Sequence, residues 1–246
     1  MTESATQNIH ADVALQERDM ALTVVASLID SNGNPQSKAL LRKQALIAAL
    51  ARKLQKDAVF APLLPDDEVR LMVRASVLQN IGKSDVPDKV LLKPGRLTEQ
   101  EFALVKRYPD VGYEALKEAE RLMGQPSAFL AHAQDMARNH QEKWDGSGYP
   151  RQLRGDAIPL SARISSIIEV YNAITSHRVY KAALPHAGAI KIIRELRGQS
   201  FDPRIVDAFL SISPEIEQLA RKYADHFDQQ AEIERLASSA AEEITL

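Results

Sequence analysis

The stretch ALLRKQALIAALARKL, Ala39 to Leu54, decides the fold class. Its apolar residues return every three or four positions, the period of an amphipathic helix, where a half-buried strand would alternate at two. The same period runs through MALTVVASLID upstream and EVRLMVRASVLQNIG downstream. Abundant alanine and leucine favour the same structure. Between these segments stand DSNGNP, FAPLLPDD, KSDVPDKVLLKPGRLT, MGQPS and GQSFDP, mixtures of Gly, Pro, Asn, Asp and Ser that stop helices and form turns. Two helix starts are explicit. Thr98 with Glu101 three residues on forms a capping box, and Pro159 suits a first turn. The chain therefore reads as all-α, with no repeat and no low-complexity tract.

With 246 residues, 45% of them hydrophobic, the chain can bury a substantial core. Thirty-one basic against thirty-three acidic residues leave a net charge of -2, which excludes a global positive field for nucleic-acid polymers or anionic membranes. There is no cysteine, so disulfides, thiolate–zinc sites and cysteine nucleophiles are excluded. The first twenty residues lack the apolar core of a signal peptide, and no eighteen apolar residues run uninterrupted. A cytoplasmic protein without a membrane segment is expected. We expect a leading helix over 1–31, the main body over 32–212 and a helical tail over 213–246. The leading segment is amphipathic enough to pack on the body or to pair with a second copy in a homodimer.

One loop is unusually specified. HQEKWDGSGYPRQLRGDAIP, His140 to Pro159, holds the sole tryptophan, Trp144. Gly146 and Gly148 open turn conformations, Asp145 is a turn former, Pro150 stiffens the exit, and Tyr149 offers an aromatic face with a polar tip. Such a loop suits docking or base stacking, or it folds on itself with Trp144 as a core plug. Arg178 and Lys181 lie three apart, and Arg163 lies one helix earlier. Their spacing allows convergence on a phosphate. Salt bridges to Glu169 or Asp156 are the competing account.

NIGKSDVPDKVLLKPGRLTEQEFALVKRYPDVGYEAL followed by NHQEKWDGSGYPRQLRGDAIPLSARISSIIEVYNAITSHRVYKAAL closely resembles the HD-GYP family of bacterial signalling proteins, from about Ile29 to Leu210. The resemblance implies an HD-domain-type helical bundle with an HD-GYP extension. In active members it also implies hydrolysis of cyclic di-GMP by two or three metal ions. Arg178 and Lys181 match residues that hold the substrate's phosphates, and Lys83 matches the lysine that follows the family's His-Asp pair. That pair itself falls on Gln79 and Asn80, two neutral amides that offer a cation neither charge nor imidazole nitrogen. An upstream Glu and His fall near Pro35 and Ala39. Tyr108 stands where the family has His, Gln141 replaces the second of two consecutive His residues after His140, and Glu169 replaces an Asp. The expectation is a degenerate, catalytically inactive module without a metal, serving protein contacts, for example with a diguanylate cyclase (GGDEF) domain, or sensing cyclic di-GMP. The alternative is a cyclic di-GMP phosphodiesterase with an altered site, one weakly held divalent ion at His140 and Glu169.

Overall fold

A computed structural model describes residues 22, 24, 26, 38–93, 95–176 and 183–224. Arg178, Lys181 and most of the expected leading helix lie outside the described residues. Among the described residues there is no strand, only an isolated bridge between Arg197 and Phe201, and the all-α expectation holds.

The opening stretch is helix α1, Ala39–Leu54. Leu46, Ile47, Leu50 and Leu54 are all but inaccessible, so its apolar stripe faces inward along its whole length. Burying each such side chain contributes about 1.5–3 kcal/mol before the entropy of ordering it. Around α1 pack α2 (Asp66–Ala75), the long α7 (Leu160–Thr175), α9 (Pro203–Ser211) and α10 (Ser213–Lys222). Their inner faces bring Met72, Ile164, Ile167, Ile168, Tyr171, Val206, Phe209 and Ile216 into one core. Helix α7 is buried without a break from Ser161 to Ile168, as expected of an element enclosed on all sides. Ser213–Lys222, the start of the expected tail, seats Ile216 and Ala220 in that same core.

Between α2 and α7 run the short α3 (Asp88–Leu91), α4 (Glu99–Val105), α5 (Tyr108–Met123) and α6 (Ala128–Asn139). Helix α4 starts with the expected capping box: the Glu101 amide donates to the Thr98 hydroxyl at 3.2 Å and the Thr98 amide donates to the Glu101 carboxylate at 2.7 Å. Pro159 stands one residue ahead of α7, at its cap. Helices α5 and α6 pair, and α6 also packs on α2 and α7. A smaller apolar cluster of Ala75, Leu78, Leu116, Ala133 and Ala137 holds this half together, and Ala26 and Leu22 join it from the N-terminal segment. The 3-10 turn Ile81–Asp85 lies on α5 at a glycine-to-glycine contact. A Cβ on Gly82 would come within 2.0 Å of the Tyr108 carbonyl and 2.6 Å of the Gly112 amide, so only glycine allows this approach. That contact sets Lys83 beside Tyr108. Helix α8 (His186–Glu195) completes the fold against α7 and α9. No helix among the described residues is long and apolar enough to cross a membrane.

Candidate functional site

His140 leaves the C-terminal end of α6 and is 4% exposed. Its Nδ1 lies 2.7 Å from the Met136 carbonyl one turn back. A carbonyl can only accept, so the ring proton is on Nδ1 and the lone pair on Nε2. The Tyr108 hydroxyl lies 2.6 Å from Nε2 and donates to it, and the Gln141 amide donates to the same phenol oxygen at 2.9 Å. Burial pushes His140 down to about 4, with nearby Lys83 and Lys43 acting in the same direction and Glu169 and the Met136 carbonyl opposing. The imidazole is neutral at pH 7, and its Nε2 lone pair accepts from Tyr108.

Glu169 projects from α7 toward the same centre. The Asn80 amide donates to it at 3.3 Å, and the Lys43 ammonium, 2% exposed, lies 3.9 Å from its other oxygen. Gln79 and Asn80 leave the turn after α2 and are 1% and 0% exposed. Both polar atoms of the Gln79 amide are buried with no hydrogen-bond partner among the described residues. The Lys83 ammonium lies over the Tyr108 ring, 5.8 Å from its centroid. The fold therefore gathers Asn80, Lys83, Tyr108, His140, Gln141 and Glu169, with Gln79 adjoining. Ala39 sits at the exposed start of α1, away from the centre, and Pro35 lies outside the described residues. The residue of α1 that reaches Glu169 is Lys43, one turn further on. Sequence reasoning missed it, because no local signal marks its carboxylate partner on α7.

The loop is organised by Glu142, 4% exposed, whose two oxygens accept from the Arg151 amide at 2.7 Å and the Leu153 amide at 3.0 Å. Gly148 crosses this residue so closely that a Cβ would meet the Lys143 nitrogen at 2.3 Å. Asp145 is exposed and accepts from the amide and hydroxyl of Ser147, which hold its carboxyl below the usual range. Gly146 takes the left-handed turn position at φ 83°. Tyr149, followed by a cis bond to Pro150, stands edge-on to Phe102 with ring centroids 6.2 Å apart, and burial pushes its phenol up. Trp144 is partly buried, with the guanidinium groups of Arg163 and Arg204 at 5.8 and 5.3 Å from its ring. Arg163, offered above as a phosphate ligand, is 8% exposed and binds Asp156 at 2.7 Å and Asp202 at 2.8 Å. The ion-pair account fits it: two carboxylates occupy its Nη1. Asp202 and Arg204, which complete this network, were missed because they stand in and just after a segment read as a turn.

A family model described as HD domain matches residues 24–205, and the chain belongs to that family. Over 208 residues, 85% of this chain, it is 42% identical to a cyclic di-GMP phosphodiesterase of Vibrio cholerae, of which it covers 42%. It is also 42% identical to the cyclic di-GMP phosphodiesterase response regulator RpfG of Xanthomonas campestris, over 65% of this chain and 41% of that protein. The chain thus spans less than half the length of these relatives. Among solved structures, a cyclic GMP-AMP specific phosphodiesterase of Vibrio cholerae superposes with a TM-score of 0.53 at 18% identity, over 87% of this chain and 52% of that one. An HD-GYP type protein of Bdellovibrio bacteriovorus, Bd1817, superposes with a TM-score of 0.50 at 16% identity, over 79% and 61%. The HD-type helical fold and the resemblance to HD-GYP proteins are borne out.

These relatives correct the functional expectation. An inactive module that is no enzyme does not stand beside relatives at 39–42% identity that are named as phosphodiesterases. With it goes the expectation of no metal, since the resemblance ties that activity to metal ions. The described residues set a limit on the kind of metal site. Among the described residues no group of three or more His, Cys, Asp or Glu stands together to hold an ion.

Proposed function

We propose that this chain is a metal-dependent phosphodiesterase domain acting on cyclic di-GMP through an altered, single-ion centre. The observation that supports the reading is the identity of 42% across 85% of the chain to a cyclic di-GMP phosphodiesterase, a span that includes the centre and the loop. His140 and Glu169 would hold the ion, which when bound supplies Lewis acidity and a more acidic water. The Nδ1 bond to Met136 fixes the imidazole in the tautomer that presents Nε2. Lys83 adds positive charge beside the centre, which favours an anionic phosphodiester there. Tyr149 and Phe102 form an aromatic corner suited to a guanine base.

The test is turnover of cyclic di-GMP by metal-analysed protein supplied in turn with Mn2+, Fe2+ and Mg2+. Linear or monomeric guanylate products should appear, be lost with a chelator, and fall at least about a hundredfold in His140→Ala and Glu169→Gln. Absence of product with all three ions would defeat the reading. Running cyclic GMP-AMP in parallel distinguishes the two substrates named for the relatives.

A further inference from the structure

Tyr149 is fastened on both sides by one residue. Ahead of it, Gly148 runs so close to the backbone of Glu142 that an added Cβ would stand 2.5 Å from the Glu142 Cα. Behind it, past Pro150, the Arg151 and Leu153 amides both donate to the Glu142 carboxylate, at 2.7 and 3.0 Å. Gln152, between these two amides, has φ 55°, in the left-handed region where any residue but glycine is strained. A left-handed residue at that point turns the flanking amides to one side and makes a nest for an anion. Glu142, 4% exposed, fills the nest from within the fold, whereas Gln152 itself is exposed.

We propose that Glu142 is a positioning residue for nucleotide binding. Its carboxylate, seated in the 151–153 nest, keeps Gln152 left-handed and so holds Tyr149 edge-on to Phe102, ready to take a base. This rests on the assignment of that corner to a guanine base made above. It gives the buried carboxylate a role in affinity that is separate from the chemistry. A loop already in its bound shape gives up less conformational freedom when the ligand arrives. Without the carboxylate, two amides lose their acceptor and a strained residue loses what holds it, so the corner forms only part of the time.

The experiment is calorimetric titration of chelator-treated full-length protein with cyclic di-GMP, so that the ligand is bound without being cut. Glu142→Gln, which keeps the length of the side chain but offers one acceptor in place of a carboxylate, should bind about tenfold more weakly than the native chain. Gln152→Val, which forces a β-branched side chain into the left-handed position and leaves the carboxylate in place, should bind about threefold more weakly. Gln152→Gly, free of the strain, should bind like the native chain and recover most of the loss when added to Glu142→Gln. In a Phe102→Ala background the corner is already gone, so the effect of Glu142→Gln should shrink to less than about threefold. An undiminished effect there would mean a general loss of packing and would overturn the inference. Circular dichroism melts identify folded variants, and the exposed Gln152→Val carries the test if Glu142→Gln does not fold. Folded variants that bind as tightly as the native chain would overturn it too, as would native protein that binds no cyclic di-GMP. With metal ions restored, KM should rise in the variants while kcat stays within about twofold. Turnover by the native chain with KM unchanged in the variants defeats this inference and leaves the proposed function standing. Weaker binding by the variants with no turnover by any protein gives the opposite result.

Discussion

The arginine network under the loop and the imidazole centre beside it are both buried and polar, yet they are built in opposite ways. Under the loop, charges meet charges. Arg163 and Arg204 share Asp202 and Asp156 at 2.5–2.8 Å, Glu142 closes two backbone amides, and Trp144 covers the guanidinium groups. Around the centre, Gln79 is buried with both polar atoms unmet among the described residues, and one carboxylate faces both an amide and an ammonium. A satisfied network fixes a shape, whereas a partly satisfied one gives up stability and marks a place set aside for something else. The first region is scaffold. The second is where a ligand has the most to gain.

Breaking the scaffold should therefore cost most. The Asp202 side chain is fully buried, binds both arginines and accepts from the Arg204 amide at the start of α9. Asp202→Ala leaves Arg163 buried without that partner and should cost about 3–5 kcal/mol in urea denaturation, with a shift in Trp144 emission. Asp156, 69% exposed, binds the same arginines, and Asp156→Ala should cost less than about 1 kcal/mol. Equal losses would show that the network is not organised around Asp202.

Next in size is a pH effect in the centre. Unfolded, His140 titrates near 6.5; folded, it is pushed down to about 4, so between these values the unfolded chain binds the extra proton. Stability is thus full above pH 6.5 and declines as the pH falls toward 4, by up to on the order of 3 kcal/mol. Chelator-treated native protein and His140→Gln, melted from pH 7 to pH 4, should differ by that slope, and parallel curves would refute it. Smaller again is Gly148→Ala. Its methyl would meet the backbone of Lys143 and Glu142 within 2.3–2.5 Å, so the loop must shift at about 1–3 kcal/mol. A native-like melt would mean that Glu142 does not pin the loop.

How much of this was legible in the sequence depended on distance along the chain. The period of Ala39–Leu54 and the Thr98–Glu101 capping box are local, and both were read directly. The loop's turn residues were also local, and the structure uses them as turns. The pairing of Asn80 with Glu169 and of Tyr108 with His140 joins separate helices, so only a family resemblance could bring them to one place. Lys43 escaped because a lysine in a helical period can face either way, and nothing local reveals that a carboxylate of α7 waits opposite. Asp202 escaped because an aspartate before a proline signals a helix start equally well when it holds two distant arginines. The amides at 79 and 80 pointed to an inactive protein. Relatives at 42% identity named as phosphodiesterases overturn that step from residue type to loss of activity.

The smallest expected effect is the sharpest probe of the centre. Gln79 is 1% exposed, and its amide oxygen and nitrogen find no partner among the described residues. Removing one partner of a buried hydrogen bond is costly, but replacing an already unmet group by an apolar one of similar size relieves a desolvation penalty. Gln79→Leu should therefore be neutral or stabilising by about 1 kcal/mol, where most buried polar-to-apolar exchanges in a satisfied network would destabilise. A loss of more than about 1 kcal/mol would mean that the Gln79 amide is held in solution by ordered water. The centre would then resemble the scaffold more closely than its side-chain contacts suggest.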